Sequence, residues 1–427
     1  MFNRAESAGI SMSSIDDAII RKSFTGRGDQ TVEVELILES GVRGLATAPA
    51  GASKGKHEVQ FLPQDGVDAA IDMFRRWVAT DLIGMDAVDQ GGIDAKLEEV
   101  DGTPNFARIG GASAFATSLA AASAASNYLE MPLYKYLGGA LASSFPYPVS
   151  NVIGGGKHSR NLGPDFQEFL VIPYGAPDIY SAVSTNLEIH KEVGKELAKE
   201  DPTFAGGKND EGAWTAKIST IKALSILSTV VKKKAEEKGF AIGIGIDAAA
   251  SGMWNGEKYE YRSEGKERSA EEHMEFIKQL VDEYNIVYFE DPLHEEDFDG
   301  FAELTAALRG KCLIVGDDLF VTNSSRLRMG IEKKAGNGII IKVDQVGTLS
   351  RAFETVKLAK ENGYTIVVSH RSGDTERELL AHVALGFQSP LIKTGIVGGE
   401  RMAKLNELIR MWEAEGKAAH MSKSPFK

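Results

Sequence analysis

The sequence predicts an α/β protein in two parts, a TIM-type barrel preceded by a smaller region that mixes strand and helix. Three observations carry this. The chain has 427 residues, more than one hydrophobic core usually serves. From residue 241 onward, short apolar runs alternate with amphipathic helical stretches. A segment with two prolines, FPYPVS at 145–150, follows a Gly-Gly pair and marks a boundary near 140–147.

The elements read in order as follows. The first fifteen or so residues are polar and patternless, and residues 1–18 are expected to be disordered or loosely attached. TVEVELIL at 31–38 alternates as a strand with one polar face. Residues 44–58 hold three glycines and read as a mobile loop. Helical patterns follow at 67–80, 90–100 and 112–129, the last rich in alanine and serine as close helix packing requires. Beyond the boundary the runs are AIGIGID (241–247), NIVYFED (285–291), CLIVGDD (312–318), GIIIKVD (338–344), YTIVVSH (364–370) and PLIKTG (390–395). Continuous apolar strands of this kind are buried on both faces, as in a parallel sheet. Ser269 and Glu272 form a capping box, and Thr348 caps a helix ending near Gly363. A doubly wound sheet is the competing architecture, but no Gly-rich phosphate fingerprint follows an early strand.

Composition is that of an ordinary soluble protein, 43% hydrophobic and 26% charged. With 48 basic and 61 acidic side chains the formal charge is −13, which argues against nonspecific binding to nucleic acid or anionic membranes. An anionic substrate remains compatible, because local cations can reverse the field in a cleft. Cys312 is the single cysteine, so an internal disulfide and a cysteine zinc site are excluded, and its apolar setting predicts packing. No apolar run approaches the roughly 20 residues that span a bilayer, and the start lacks the apolar core of a signal peptide. A cytoplasmic protein is expected.

The informative positions are the carboxyl ends of the runs. Asp247, Glu290 and Asp317 end the first three, and Lys342, His370 and Lys393 end the next three. In a parallel barrel these ends converge on one face. Three carboxylates from successive strands suit Mg²⁺, a hard cation that prefers oxygen. Singly, each has a plainer reading: a carboxylate there caps the next helix, and a lysine is a solvated charge. A lysine inside IIIKV has buried neighbours and resists that reading. The set of six is not explained by capping.

At these same residues the sequence resembles the enolase family. FEDPLHEEDF, VGDDLFVTN, IIIKVDQVGTLS, VVSHRSGDTE and IKTG are similar to its signature stretches in order and spacing. So are GASKGKHE (51–58), GGGKH (154–158), FQEFLVIP (166–173), NDEG (209–212) and IGIDAAAS (244–251), with PLYKYLGG near the boundary and GGERMAKLNELIR near the end. The resemblance runs from about Ile20 to Trp412. It implies an enolase-type modified TIM barrel over 144–427, whose first strands depart from strict βα alternation, and an N-terminal α+β capping domain over 19–143. It also implies a homodimer or an assembly of dimers, and dehydration of 2-phosphoglycerate to phosphoenolpyruvate in glycolysis and gluconeogenesis with two Mg²⁺ per active site. Carried over by motif, Asp247, Glu290 and Asp317 hold the first Mg²⁺, and Ser53, in a closing lid, contributes to the second. Lys342 is the general base and Glu211 the general acid, with Glu168 beside it. His370, Arg371 and Ser372 bind the phosphate, Lys393 the carboxylate end, and His158 and Gln167 complete the substrate contacts.

The chemistry explains the residue types. Removing a proton next to a carboxylate creates a dianionic enolate that bound cations stabilise; enolase-superfamily sites are a worked case of this kind. Nearby cations, the metals and Lys393, are expected to depress Lys342, and crowding by Glu168 to make Glu211 hold its proton longer. The remaining histidines, His57, His190, His273, His294, His382 and His420, read as packing or surface groups. Four stretches depart from the usual pattern: FTGRGDQT around Arg27, NDEGAW with its bulky Trp214, Asp344 in KVDQ, and Arg377 with Glu378 in SGDTERE. None removes a site residue. The alternatives are a paralogue abstracting the α-proton of another carboxylate, against which His370, Arg371 and Ser372 speak, and a noncatalytic protein, which would be free to lose its buried charges.

Overall fold

The computed structural model describes residues 11–51 and 55–427, and the chain divides into two compact units. The first comprises Met1–Leu141 together with two later segments, Val343–Phe353 and Gly373–Arg377. The second comprises Ala142–Lys342, Glu354–Ser372 and Glu378–Lys427.

In the first unit, strands β1 (Ile15–Phe24), β2 (Gln30–Leu38) and β3 (Arg43–Thr47) form an antiparallel sheet in that order. The alternation of β2 has its physical cause in burial: Val32, Val34, Leu36 and Leu38 are buried while Glu33 and Glu35 lie between them. The expectation of a loose segment over 1–18 needs correction at its end. Ile15 is fully buried and pairs with Leu38, and Ser13 and Ser14 are buried before it; residues 1–10 lie outside the described residues. Helices α1 (Gly66–Met73), α2 (Gln90–Asp101) and α3 (Gly111–Tyr128) follow. Helix α1 runs on through one π-turn, Phe74–Val78. The alanine and serine of α3 allow contact with the sheet at backbone distance: a Cβ on Gly44 would lie 2.1 Å from the Ala120 carbonyl oxygen.

The second unit is a closed eight-stranded barrel: β4 (Tyr147–Gly154), β5 (Glu168–Ile172), β6 (Gly243–Asp247), β7 (Ile286–Glu290), β8 (Leu313–Gly316), β9 (Gly338–Ile341), β10 (Thr365–Ser369) and β11 (Leu391–Lys393). Strand β5 is antiparallel to both β4 and β6, and every other pairing is parallel, including β11 with β4. Helices α4 (Ile179–Glu200) and α5 (Thr220–Lys238) are consecutive between β5 and β6, where strict alternation would place one. Helix α6 (Ala270–Tyr284) begins with the expected Ser269–Glu272 capping box, and α7 (Gly399–Glu415) follows β11. Cys312 is buried just before β8, and burial pushes its thiol up. Among the described residues no helix is long and apolar enough to cross a membrane.

The barrel interior is an apolar plug whose residues stand two positions from the polar ones, as the period of a strand dictates. Tyr288 lies below Glu290, Val315 below Asp317, Ile340 below Lys342 and Leu391 below Lys393, all in one buried cluster. Leu170 belongs to it as well, two residues after Glu168 because β5 runs the other way. Gly245 supplies room beneath Asp247, since a Cβ there would sit 3.1 Å from the Tyr288 ring. That space lets the Tyr288 hydroxyl rise to donate to Glu290 Oε2 at 2.6 Å.

Candidate active site

The strand ends of the barrel bring together most of the expected residues. Glu290 is in register with Asp247 on the neighbouring strand, and Ser369 with Lys393. Lys393 Nζ stands between three carboxylates, 2.7 Å from Asp247 Oδ2, 2.7 Å from Glu290 Oε1 and 3.2 Å from Glu168 Oε2. Lys342 pairs with Asp317, and its backbone N–H donates to Thr322 Oγ1 at 2.9 Å. Asp247, Glu290, His370, Arg371, Ser372 and Lys393 are all buried.

Glu168 reaches the same mouth by a different route. It opens β5 rather than ending it, and the antiparallel register places it opposite both Asp247 and Gly154. Gln167 precedes it at that end, half-buried, and its carbonyl accepts the Gly155 N–H at 2.9 Å. His158 sits in the short helical turn Gly156–Ser159 beyond β4. Its Nδ1 lies 3.9 Å from both Glu168 and Glu211, and ligand atoms of the three fall within 4.8 Å of one another.

Glu211 comes from the loop between α4 and α5, which is held by its own side chains. Asn209 Oδ1 accepts the N–H groups of Glu211 (3.0 Å) and Ala213 (2.9 Å), forming a tight turn with Gly212 at φ +80°. Asn151 Nδ2 donates to Glu211 Oε2 at 3.2 Å. Trp214, which stands where the expected pattern has small residues, anchors the loop. Its backbone joins the barrel through Val152 and Gly154 (2.9 Å each), and its indole N–H donates to the His190 carbonyl at 2.7 Å. The ring stacks on His190 at 4.5 Å and closes onto Gly194, where a Cβ would lie 2.9 Å from it.

Residues that the sequence reading did not single out complete the site. Asp291, at φ +40°, accepts the N–H groups of Asp317 (3.0 Å) and Asp318 (2.8 Å) and so fixes the turn that carries Asp317. Oxygens of Asp291, Asp317 and Asp318 lie within 4.8 Å of one another. The only sequence signal was the acidic doublets ED and DD at the strand ends. Arg401, from the first turn of α7, is fully buried and donates to the backbone around His370. Ser53 lies outside the described residues.

The comparisons with known proteins agree with this geometry. The family model "Enolase, N-terminal domain" matches residues 15–137, and "Enolase, C-terminal TIM barrel domain" matches 142–426. The chain is 57% identical over 410 residues to a protein named Enolase from Pyrobaculum aerophilum, covering 95% of this chain and 98% of that one. Over 416 residues it is 49% identical to Enolase from Methanothermobacter thermautotrophicus, covering 97% and 100% respectively. A third Enolase, from Methanosphaera stadtmanae, is 47% identical over 403 residues, or 94% of this chain and 97% of its own. The chain belongs to the enolase family.

The protein's own charges set the electrostatics of this enolase site. The protein's own groups hold Lys342 above its usual pKa: burial, the strongest influence, works to lower it, as do Arg371 and Lys393, but Asp317 at hydrogen-bond distance and Glu290 work to raise it and the balance is upward. The proton of the acid pair also falls on the other partner. Burial and the adjacent Glu211 raise Glu168 well above the carboxylate range. Burial works to raise Glu211 too, but the electrostatic influence of His158, His370, Arg401 and Lys393 holds it well below that range. The two are best treated as one pair sharing a proton.

The charge balance bears on a metal. Burial and the Asp247 charge push Glu290 up to about 8, and burial with Asp317 pushes Asp318 up to about 7. Carboxylates that resist ionisation beside two lysines indicate a site short of positive charge. An oxygen-rich donor set with that deficit fits a hard divalent cation; oxygens of Asp291, Asp317 and Asp318 already lie within 4.8 Å of one another, while Asp247 and Glu290 close on Lys393 Nζ.

Proposed function

We propose that the protein is an enolase, a hydro-lyase that converts 2-phosphoglycerate to phosphoenolpyruvate in glycolysis and gluconeogenesis, with two Mg²⁺ per active site. The observation that carries this reading is the pairing of a buried lysine, Lys393, and a half-buried one, Lys342, with carboxylates from successive strand ends, opposite a Glu168–Glu211 pair sharing a proton. The whole-chain likeness to proteins named Enolase supports it. The working assembly is a cytoplasmic homodimer or a multiple of dimers.

Lys342 takes the α-proton of the substrate, for which it must leave Asp317 and become neutral. Glu211, resupplied by the proton resident on Glu168, delivers one to the departing hydroxyl. Arg371 grips phosphate with a planar fork that binds two oxygens at once, beside His370 and Ser372. Lys393 meets the carboxylate end, and His158 and Gln167 line the acid side. Asp247, Glu290 and Asp317 would hold the first Mg²⁺ and Ser53 would contribute to the second, and the bound cations would supply charge stabilisation for the enolate.

The test is solvent exchange of the C2 proton of 2-phosphoglycerate. Wild-type protein exchanges it, and Lys342→Ala abolishes exchange while retaining Mg²⁺ binding; undiminished exchange in the variant removes Lys342 as the base.

A further inference from the structure

We propose that Arg401 is a positioning residue that locks His370 in one tautomer and ties the phosphate-binding backbone to the loop bearing Glu211; its role in turnover rests on the enolase reading. Four contacts carry the inference. Nη1 of Arg401 donates to His370 Nδ1 at 2.8 Å and to the Arg371 carbonyl at 2.7 Å. Nη2 donates to the Ser372 carbonyl at 2.6 Å and to the Asp210 carbonyl at 3.0 Å. One planar group therefore spans three consecutive residues of the substrate-binding segment and the residue before Glu211.

The tautomer follows from the donors. A guanidinium has only N–H groups to offer, as does a backbone amide. His370 Nδ1 faces both, since the Gly395 N–H also points at it from 3.4 Å. Nδ1 must therefore carry the lone pair, and the proton sits on Nε2, which lies 4.0 Å from Glu211 Oε1. A second proton on Nδ1 would face two donors with no acceptor. His370 thus meets substrate as a neutral Nε2–H donor. The closeness of the three segments is enforced by Gly395, where a Cβ would lie 2.1 Å from the Glu211 carbonyl oxygen and 3.1 Å from Arg401 Cγ. Lysine at 401 would keep a charge but lose the fork that reaches four acceptors.

The imidazole nitrogen signals of His370, assigned by its loss in His370→Asn and read by NMR in the intact protein at neutral pH, decide the matter. The expected wild-type pattern is a single Nε2–H tautomer. In Arg401→Lys the pattern is expected to become a tautomer mixture, with kcat/KM for 2-phosphoglycerate down about 100-fold, the scale of a 1 Å misplacement. A wild-type Nδ1–H form or imidazolium overturns the proposal without need of any variant. So does Arg401→Lys with unchanged imidazole signals, which would reduce Arg401 to a structural tie. Turnover of 2-phosphoglycerate by the wild-type protein is scored separately and bears on the enolase reading alone.

Discussion

Glu168 stands directly opposite Asp247 in the ladder between two antiparallel barrel strands, and Lys393 joins the two carboxylates. This single reversal puts an acid that begins its strand at the same mouth as the acids that end theirs. It also places the proton-holding Glu168 beside Glu211, on the opposite flank from Asp317 and Lys342. The base and acid of the proposed reaction are thereby separated by the architecture.

Glu211→Gln keeps the size and the Asn151 contact but removes the acid. Exchange of the substrate C2 proton is expected to continue while loss of the hydroxyl falls by at least about 100-fold. Parallel proton-exchange and product measurements check this, and a joint fall of both would move the acid role elsewhere.

Lys393→Met leaves Asp247, Glu290 and Glu168 buried without their shared cation. A loss of about 3–5 kcal/mol in stability is expected, as for breaking a buried ion pair. Denaturant unfolding of the two proteins with chelator present measures it. The deficit should shrink as pH falls, because the stranded carboxylates can then take up protons.

Chelation should cost more stability at pH 8 than at pH 6. Glu290 titrates near 8 and Asp318 near 7 in the folded chain, both above their unfolded values. Groups raised in this way contribute stability that is present below the unfolded pKa and is lost as pH rises through the folded one. At pH 6 protons relieve the crowding, whereas at pH 8 a divalent cation must. Thermal midpoints with Mg²⁺ or EDTA at the two pH values test this, and equal shifts would count against it.

His273 donates from Nε2 to the Pro292 carbonyl at 2.7 Å, and its Nδ1 accepts from the Tyr261 hydroxyl at 2.6 Å. Burial lowers it to about 4, so its stabilisation is full above the unfolded value of about 6.5 and is lost as pH falls towards 4. Between pH 7 and pH 5 the wild-type protein should lose about 2 kcal/mol from this group. Urea midpoints of wild type and His273→Phe check it: the variant is less stable at pH 7, but its loss on acidification is smaller.

Trp214→Ala should lower kcat about 10-fold or more by loosening the loop that presents Glu211. Steady-state kinetics beside a thermal midpoint separate this from general unfolding. An unchanged kcat would show that Asn209 and Gly212 suffice to hold the loop.

Much of this was legible in the sequence because it is local. Six apolar runs, each with an ionisable residue at its carboxyl end, foretell the parallel strands and the polar ring of Asp247, Glu290, Asp317, Lys342, His370 and Lys393. The first two barrel strands were not read from pattern, because Tyr147–Gly154 and Glu168–Ile172 owe their pairing to distant partners. Grouping of Val343–Phe353 and Gly373–Arg377 with the first unit was equally invisible, being a matter of contacts such as the mutual backbone bonds of Ala50 and Gly373 at 2.7 and 2.9 Å. The balance of charges at Lys342 and Glu211 was not legible for the same reason. Sequence identifies the charges, but only distance decides that Asp317 acts on Lys342 more strongly than either Arg371 or Lys393 does. Arg401 read as one basic residue in a helix, and its four acceptors come from segments far apart in the chain.

The most direct test of the central claim is the ultraviolet absorbance of phosphoenolpyruvate, followed with purified protein and 2-phosphoglycerate, with and without Mg²⁺. A rapid rise that requires Mg²⁺ is the predicted result. A folded protein that binds Mg²⁺ yet gives no rise would contradict the enolase reading and point to a different carboxylate substrate.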